Sequence, residues 1–266
     1  METQAIADLN GAALDKIMEM LNYPNRRLKI IRVSGSNNAG HVSDVLNTIL
    51  LHSNYQVGVY AYVPESRMQS IAYNGHEIET EIADSLKQQL EALMDLTSDL
   101  GLEAMTDEEI TAVTAIVYFA REACPDFVIW QTSDNSGTDL ADILFPIVSV
   151  IADDRADVSL HAAAIRPGIP VISGIEQASA VAELDKLAAS KKSTHYSIHR
   201  NFKYRAAMSI SSDLQLHFEG PYRNLEFVRV VSGKEEEMGA TAIAIMASEL
   251  LRQLYAALIM DDWHRL

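Results

Sequence analysis

Apolar side chains at Leu14, Ile17, Met18 and Leu21 fall on one helical face, and Asn22-Tyr23-Pro24-Asn25 ends that helix because proline disfavours helix in the residue before it. Residues 29–33 form a short apolar strand that runs into a polar, glycine-bearing turn. Val42, Val45, Leu46, Ile49 and Leu50 then return to helical spacing. A strand rich in Val and Tyr covers residues 56–63, and a long helix follows over about 79–95. Thr106 with Glu109 three residues on has the spacing of a capping box, opening a helix through Ile110, Val113, Ile116, Val117 and Ala120. Residues 126–131, 147–152 and 169–173 are buried-type strands, and 178–189 is helical. Alternation of this kind predicts the α/β class: a mostly parallel sheet flanked by helices.

The pattern changes after Asp185. From Lys186 to Ser212 there are six basic residues and no acidic one, with Tyr196, Phe202 and Tyr204 between them. Its part from Lys191 to Arg205 is expected to be a solvated hairpin whose lysines snorkel, with contact to an acidic ligand or single-stranded nucleic acid as the alternative. Residues 214–218 and 225–231 are expected to pair antiparallel through Gly220-Pro221, as a small antiparallel extension. An alanine-rich helix spans 239–258. Without an internal repeat or low-complexity linker, residues 1–266 are read as one domain.

Composition narrows the partners. The 266 residues carry 21 Lys and Arg against 37 Asp and Glu, a net charge of −16 that opposes binding to nucleic acid or to an anionic membrane. The single cysteine, Cys124, rules out an internal disulfide and a four-cysteine zinc site, and is expected to be a buried structural thiol. No apolar run reaches spanning length and the start lacks a signal-peptide pattern, so a cytoplasmic location is expected.

The candidate chemistry lies in the turn Gly35-Ser36-Asn37-Asn38-Ala39-Gly40-His41 between the first strand and its helix, where backbone N–H groups and a helix N-terminus attract anions. Gly35 and Gly40 flank the turn, and Asn38 can adopt a left-handed conformation. The turn and its entry, Leu21-Asn22-Tyr23-Pro24-Asn25-Arg26-Arg27-Leu28-Lys29, resemble the P-loop region of folylpolyglutamate synthases, the Mur-ligase relatives that add glutamate to folates. The resemblance continues through Val57-Gly58-Val59-Tyr60, Asn74-Gly75, residues 111–120, Ile165-Arg166-Pro167-Gly168-Ile169-Pro170, Asn201-Phe202-Lys203-Tyr204 and the last helix. It implies a P-loop NTPase-like fold of the Mur ligase central domain, with ATP and magnesium as cofactors.

The departures from that family are specific. Its loop lysine falls on Ala39 and its magnesium-binding hydroxyl on His41; its magnesium-binding glutamate falls on Gln131, and its carbamate-bearing lysine on His161. Asp139 is retained, whereas the Asp-His motif and the C-terminal ligase domain are expected to have no counterpart. Without lysine and magnesium, a triphosphate would be held by backbone dipoles alone in a strongly negative protein. ATP and magnesium are therefore expected to be lost, leaving a non-catalytic relative that binds a protein partner or small ligand. The alternative is a ligase or nucleotide-binding enzyme using other residues or a separate C-terminal chain. Gln131, Ser133, Asp134 and Asn135 stand at a strand's carboxyl end, where α/β sheets bind ligands, and with Asn37, Asn38, His41, Asp139 and His161 would line one crevice.

His195 and His199 are expected to be a surface pair, and no metal site is assigned. In the last helix, Ile245, Leu251, Tyr255 and Ile259 form an apolar flank opposite Ile243, Met246, Leu250, Leu254 and Leu258. A two-fold dimer would cover that flank, and so would the antiparallel extension within one chain.

Overall fold

A computed structural model describes residues 13–35, 38–63, 68–99, 102, 104–132, 143–153, 157–207, 214–230 and 233–255. Eleven strands form among them: β1 (Ile30–Ser34), β2 (Val57–Val63), β3 (Met68–Tyr73), β4 (His76–Glu77), β5 (Phe127–Thr132), β6 (Pro146–Ile151), β7 (Val171–Ser173), β8 (His195–Ser197), β9 (Lys203–Ala207), β10 (Gln215–Glu219) and β11 (Asn224–Arg229). The main helices are α1 (13–20), α2 (Ala39–His52), α3 (Thr80–Asp99), α4 (Asp107–Tyr118), α5 (Ala178–Ser190) and α6 (Met238–Tyr255). The eight-stranded sheet has the order β4-β3-β2-β5-β1-β6-β7-β8, and the smaller sheet the order β11-β10-β9. The larger sheet is mostly parallel, as the alternation of elements predicts.

The chain groups into two compact units, one of residues 1–30, 56–128 and 135–145, the other of residues 31–55, 129–134 and 146–266. In the first unit, β2 and β3 pair antiparallel from Gly58↔Tyr73 to Val63↔Met68. The β3–β4 turn is Asn74-Gly75 with φ of 50° and 79°, the two positive values of a tight hairpin turn. Sequence periodicity missed this hairpin because Met-Gln-Ser-Ile-Ala-Tyr alternates weakly. The capping box is formed: Glu109 N–H donates to Thr106 Oγ1 at 3.2 Å, and Thr106 N–H donates to Glu109 Oε2 at 2.7 Å. After α4 the chain widens into a π-helical turn, Phe119–Ala123. Cys124 closes it with φ 47° and is exposed, so the buried thiol expected from sequence is corrected: the left-handed end of the turn leaves that position at the surface.

In the second unit, β6, β7 and β8 run parallel, in register at Ser149↔Val171 and Val171↔His195. Ile151, Ile165, Val171, Ile175 and Leu184 belong to a core cluster between the strands and α5. The basic stretch does not fold back on itself. β8 extends the large sheet while β9 pairs antiparallel with β10, from Gln215↔Ala207 to Glu219↔Lys203. β10 and β11 pair across Gly220-Pro221 as expected. The apolar last helix is covered within the chain: Ile243, Ile245, Met246, Leu250 and Leu251 are all buried, with α2, β6, β7 and β9 against α6. The flank offered for a dimer is therefore internal at Ile245 and Leu251; Leu254 and Tyr255 are exposed, and Leu258 and Ile259 lie outside the described residues.

Gly58 in β2 faces the ring of Phe119 so closely that a Cβ there would stand 2.8 Å from Cε1. Gly58→Ala is expected to lower stability by about 1–3 kcal/mol, the usual cost of overpacking, read as a lower urea midpoint with unchanged slope.

Candidate functional site

The candidate site builds from β1 outward. All five β1 residues are buried, which identifies a central strand covered on both faces. Arg32 shares that burial: its Nη1 donates to Ala163 O at 2.7 Å and its Nε to Thr132 Oγ1 at 3.5 Å. At the carboxyl end, Ala152 N–H donates to Ser34 O at 2.7 Å, Gly174 N–H to Ile151 O at 2.8 Å and Ile198 N–H to Ser173 O at 3.0 Å. These bonds hold the ends of β1, β6 and β7 in one row, the edge at which open α/β sheets place ligands.

The chain leaves β1 through Gly35, at φ 137°. A Cβ on Gly35 would lie 3.0 Å from the backbone nitrogen of buried Asp153, so both the dihedral and the space call for glycine. Gly40 has no such requirement, since a Cβ there meets nothing within 4 Å. Asn38 has φ −102° and does not use the left-handed conformation open to it. The helix begins immediately afterwards at Ala39, so the backbone needs no left-handed step there. Ser36 and Asn37 lie outside the described residues.

The charge at the head of α2 comes from elsewhere in the chain. His41 Nδ1 is 3.4 Å from Glu237 Oε1, whose carboxylate is almost wholly buried just before α6. Lys234 Nζ also reaches Glu237 Oε1 at 3.4 Å. Asp44, on the outer side of the same helix, has its carboxyl held above the usual value, by local desolvation first and by the charge of Glu237, with His41 opposing. Glu237 had no sequence signal, because it lies 196 positions after His41 (237 − 41) and only packing of α6 beside α2 joins them.

Of the remaining expected site residues, His161 and Gln131 are described. His161 is buried at the end of the helical turn Val158–His161, and Gln131 is half-buried on β5. Among the described residues no hydrogen bond joins Gln131, His41 and His161 to one another. Ser133, Asp134, Asn135 and Asp139 lie outside the described residues. His195 and His199 are not a surface pair: the His195 side chain is 2% exposed, while His199 is half in solvent and faces Glu176 Oε1 at 3.0 Å.

His195 belongs to a network that sequence reasoning missed. Its Nε2 is 2.8 Å from Ser173 Oγ and its Nδ1 is 2.8 Å from Asp185 Oδ1, and Arg200 grips the same carboxylate with both terminal nitrogens. The order Ser, His, Asp matches a nucleophile relay, but Ser173 is completely buried and offers no face to a substrate. The network joins β7, β8 and α5. No motif announces it, because the parallel register of β7 against β8 is what brings Ser173 to His195.

The fold defined by these elements is that of an α/β ligase central domain, with a parallel sheet, a strand–turn–helix at its centre and a small antiparallel sheet. More narrowly, it is the folylpolyglutamate synthase fold. The Thermotoga maritima folylpolyglutamate synthase superposes with a TM-score of 0.80 at 18% identity, over 99% of this chain and 64% of that one. A variant of the Lactobacillus casei enzyme gives a TM-score of 0.84 at 18% identity, over 99% and 69%. In sequence the chain is 23% identical over 264 residues to the dihydrofolate synthase/folylpolyglutamate synthase of Bacillus subtilis, and 28% identical over 123 residues to the dihydrofolate synthetase of Saccharomyces cerevisiae. The alignments span 61% and 28% of the length of those two relatives and 94% and 46% of this chain. No family model matches. Among the described residues no helix is long and apolar enough to cross a membrane.

Burial lowers the pKa of His195 from the ordinary 6.5, outweighing the hydrogen bond that its ring donates to Asp185. The Arg200 hydrogen bond holds the Asp185 carboxyl at about 2, below the ordinary 3.8, with His195 assisting. Both groups bind protons less readily folded than unfolded, so their contribution is complete above about pH 6.5 and falls as pH drops. The histidine acts first, as pH falls through and below 6.5, and the aspartate between about 3.8 and 2. Denaturation from pH 7.5 to 5.5 is expected to show declining stability, at most about 1.4 kcal/mol per pH unit for one proton. His195→Gln is expected to flatten that decline while lowering stability at pH 7.5.

Proposed function

We propose that this chain is a non-catalytic relative of folylpolyglutamate synthase that acts by binding a protein partner or a small ligand, without the Mg-ATP chemistry of that family. The observation that carries this reading is the charge at the head of α2. Ala39 opens the helix without a cation, and the buried carboxylate of Glu237, which Lys234 also reaches, meets His41 in its first turn. A Mg-triphosphate needs cations around its phosphates, and positioning with charge neutralisation supplies nearly all catalysis of phosphoryl transfer. A carboxylate at that place acts in the opposite sense. The donor set does not fit the group.

Two further features support the proposal. Gln131, at the place of the family's metal-binding glutamate, is neutral, and His161, at the place of its modified lysine, is buried. The net charge of −16 favours a neutral or cationic ligand, or a basic protein surface, over nucleic acid or an anionic membrane. The retained turn at Gly35 and the helix start at Ala39 are the features a nucleotide-binding alternative would build on.

Calorimetric titration with Mg-ATP separates the two. Binding weaker than about 10 μM is expected, and a magnesium-dependent constant below that value, roughly −7 kcal/mol, would sink the proposal. A thermal-shift panel of nucleotides, folates and amino acids then identifies the ligand class, because a ligand selective for the native state raises the melting temperature.

A further inference from the structure

The first unit contains a cavity of about 280 Å³ between the end of α1, the middle of α3 and the end of α4. Leu86, Leu90 and Leu93, at helical spacing on α3, line it with Leu21 and Val117, and the polar lining groups are Gln89 and Arg121. No lining residue is acidic, although acids outnumber bases 37 to 21 in the chain and Glu81, Asp84, Glu91 and Asp95 all lie on α3. The acidic side chains of α3 are thus kept off this one surface.

Arg121 comes from the π-helical turn after α4, a local widening often found at functional sites. Its Nη2 donates to Leu21 O at 3.1 Å. A guanidinium carries five N–H donors, so this anchor leaves most of them for another acceptor. Among the described residues Arg121 forms no ion pair with a carboxylate. A cation without a carboxylate partner, at a cavity lined by leucines and free of acids, is complementary to an anion with a hydrocarbon body. The volume lies just under the usual range for drug-sized ligands and suits a compact one.

We infer that this cavity binds a small amphipathic carboxylate of medium-chain fatty-acid size, its chain on the leucines of α3 and its carboxylate on Arg121. The site is independent of the reading of the turn at Gly35.

The test is calorimetry of the full chain with octanoate, octanol and octylammonium. Octanoate is expected to bind one per chain, about tenfold or more tighter than octanol, the difference made by one charge-assisted hydrogen bond. Octylammonium is expected to bind more weakly than either. Arg121→Gln should reduce octanoate to the level of octanol and leave octanol unchanged, and Leu90→Trp should block both by filling the cavity. Because Arg121 also anchors Leu21, Gln89→Glu serves as a second variant: it places a carboxylate at an exposed rim position and should weaken octanoate alone. Equal binding of octanoate and octanol to the unmodified chain overturns the inference. So does a preference for octanoate that survives both Arg121→Gln and Gln89→Glu. A dimer that octanoate dissociates would assign the cavity to a second copy and overturn it equally.

Discussion

Burial of β1 on both faces is the constraint from which the arrangement at the carboxyl edge follows. A strand with Ile30, Ile31, Arg32, Val33 and Ser34 all buried must satisfy every polar group internally. Arg32 does so through Ala163 O and Thr132, and the Ser34 hydroxyl through Val150 O at 3.2 Å. With strands on both sides, the chain can leave only over the sheet's edge, and Gly35 makes that exit against the backbone of Asp153. The head of α2 is placed as a result. Its position is a consequence of packing, and its chemistry is set by whatever packing brings beside it.

At that place the structure brings an acid. Glu237 ends a run of three glutamates before α6, where carboxylates complement the helix dipole. It is the one that turns inward to His41 and becomes buried. The role of Glu237 in starting α6 and its position beside α2 are therefore one arrangement.

The relay of Ser173, His195 and Asp185 shows why residue identity and hydrogen-bond order do not define a site. The same three side chains that could activate a nucleophile are used here to join two strands and a helix, because the hydroxyl is sealed from solvent. Access decides between the two uses. The cavity beside Arg121 is the converse case: ordinary helix residues with no motif, made into a candidate site by a π-helical turn and by the absence of acids.

Local patterns were sufficient for most of the fold. The capping box at Thr106, the strand–turn–helix around Gly35 and the alternation of apolar strands with amphipathic helices depend on neighbours within a few residues, so they could be read directly. Two stretches were exceptions: the β3–β4 hairpin, with its Asn74-Gly75 turn as the overlooked signal, and the basic stretch, whose β8 and β9 join different sheets instead of pairing with each other. What depended on distant residues could not be read. Glu237 meets His41, Asp185 and Ser173 meet His195, and the antiparallel sheet and α2 cover α6, only because parallel register and helix packing bring separated segments together. Sequence determined which segments are strands, helices and turns, and that a lysine is missing from the turn; tertiary structure alone decided which charges face that turn, since burial and long-range contact are not properties of any local stretch of chain.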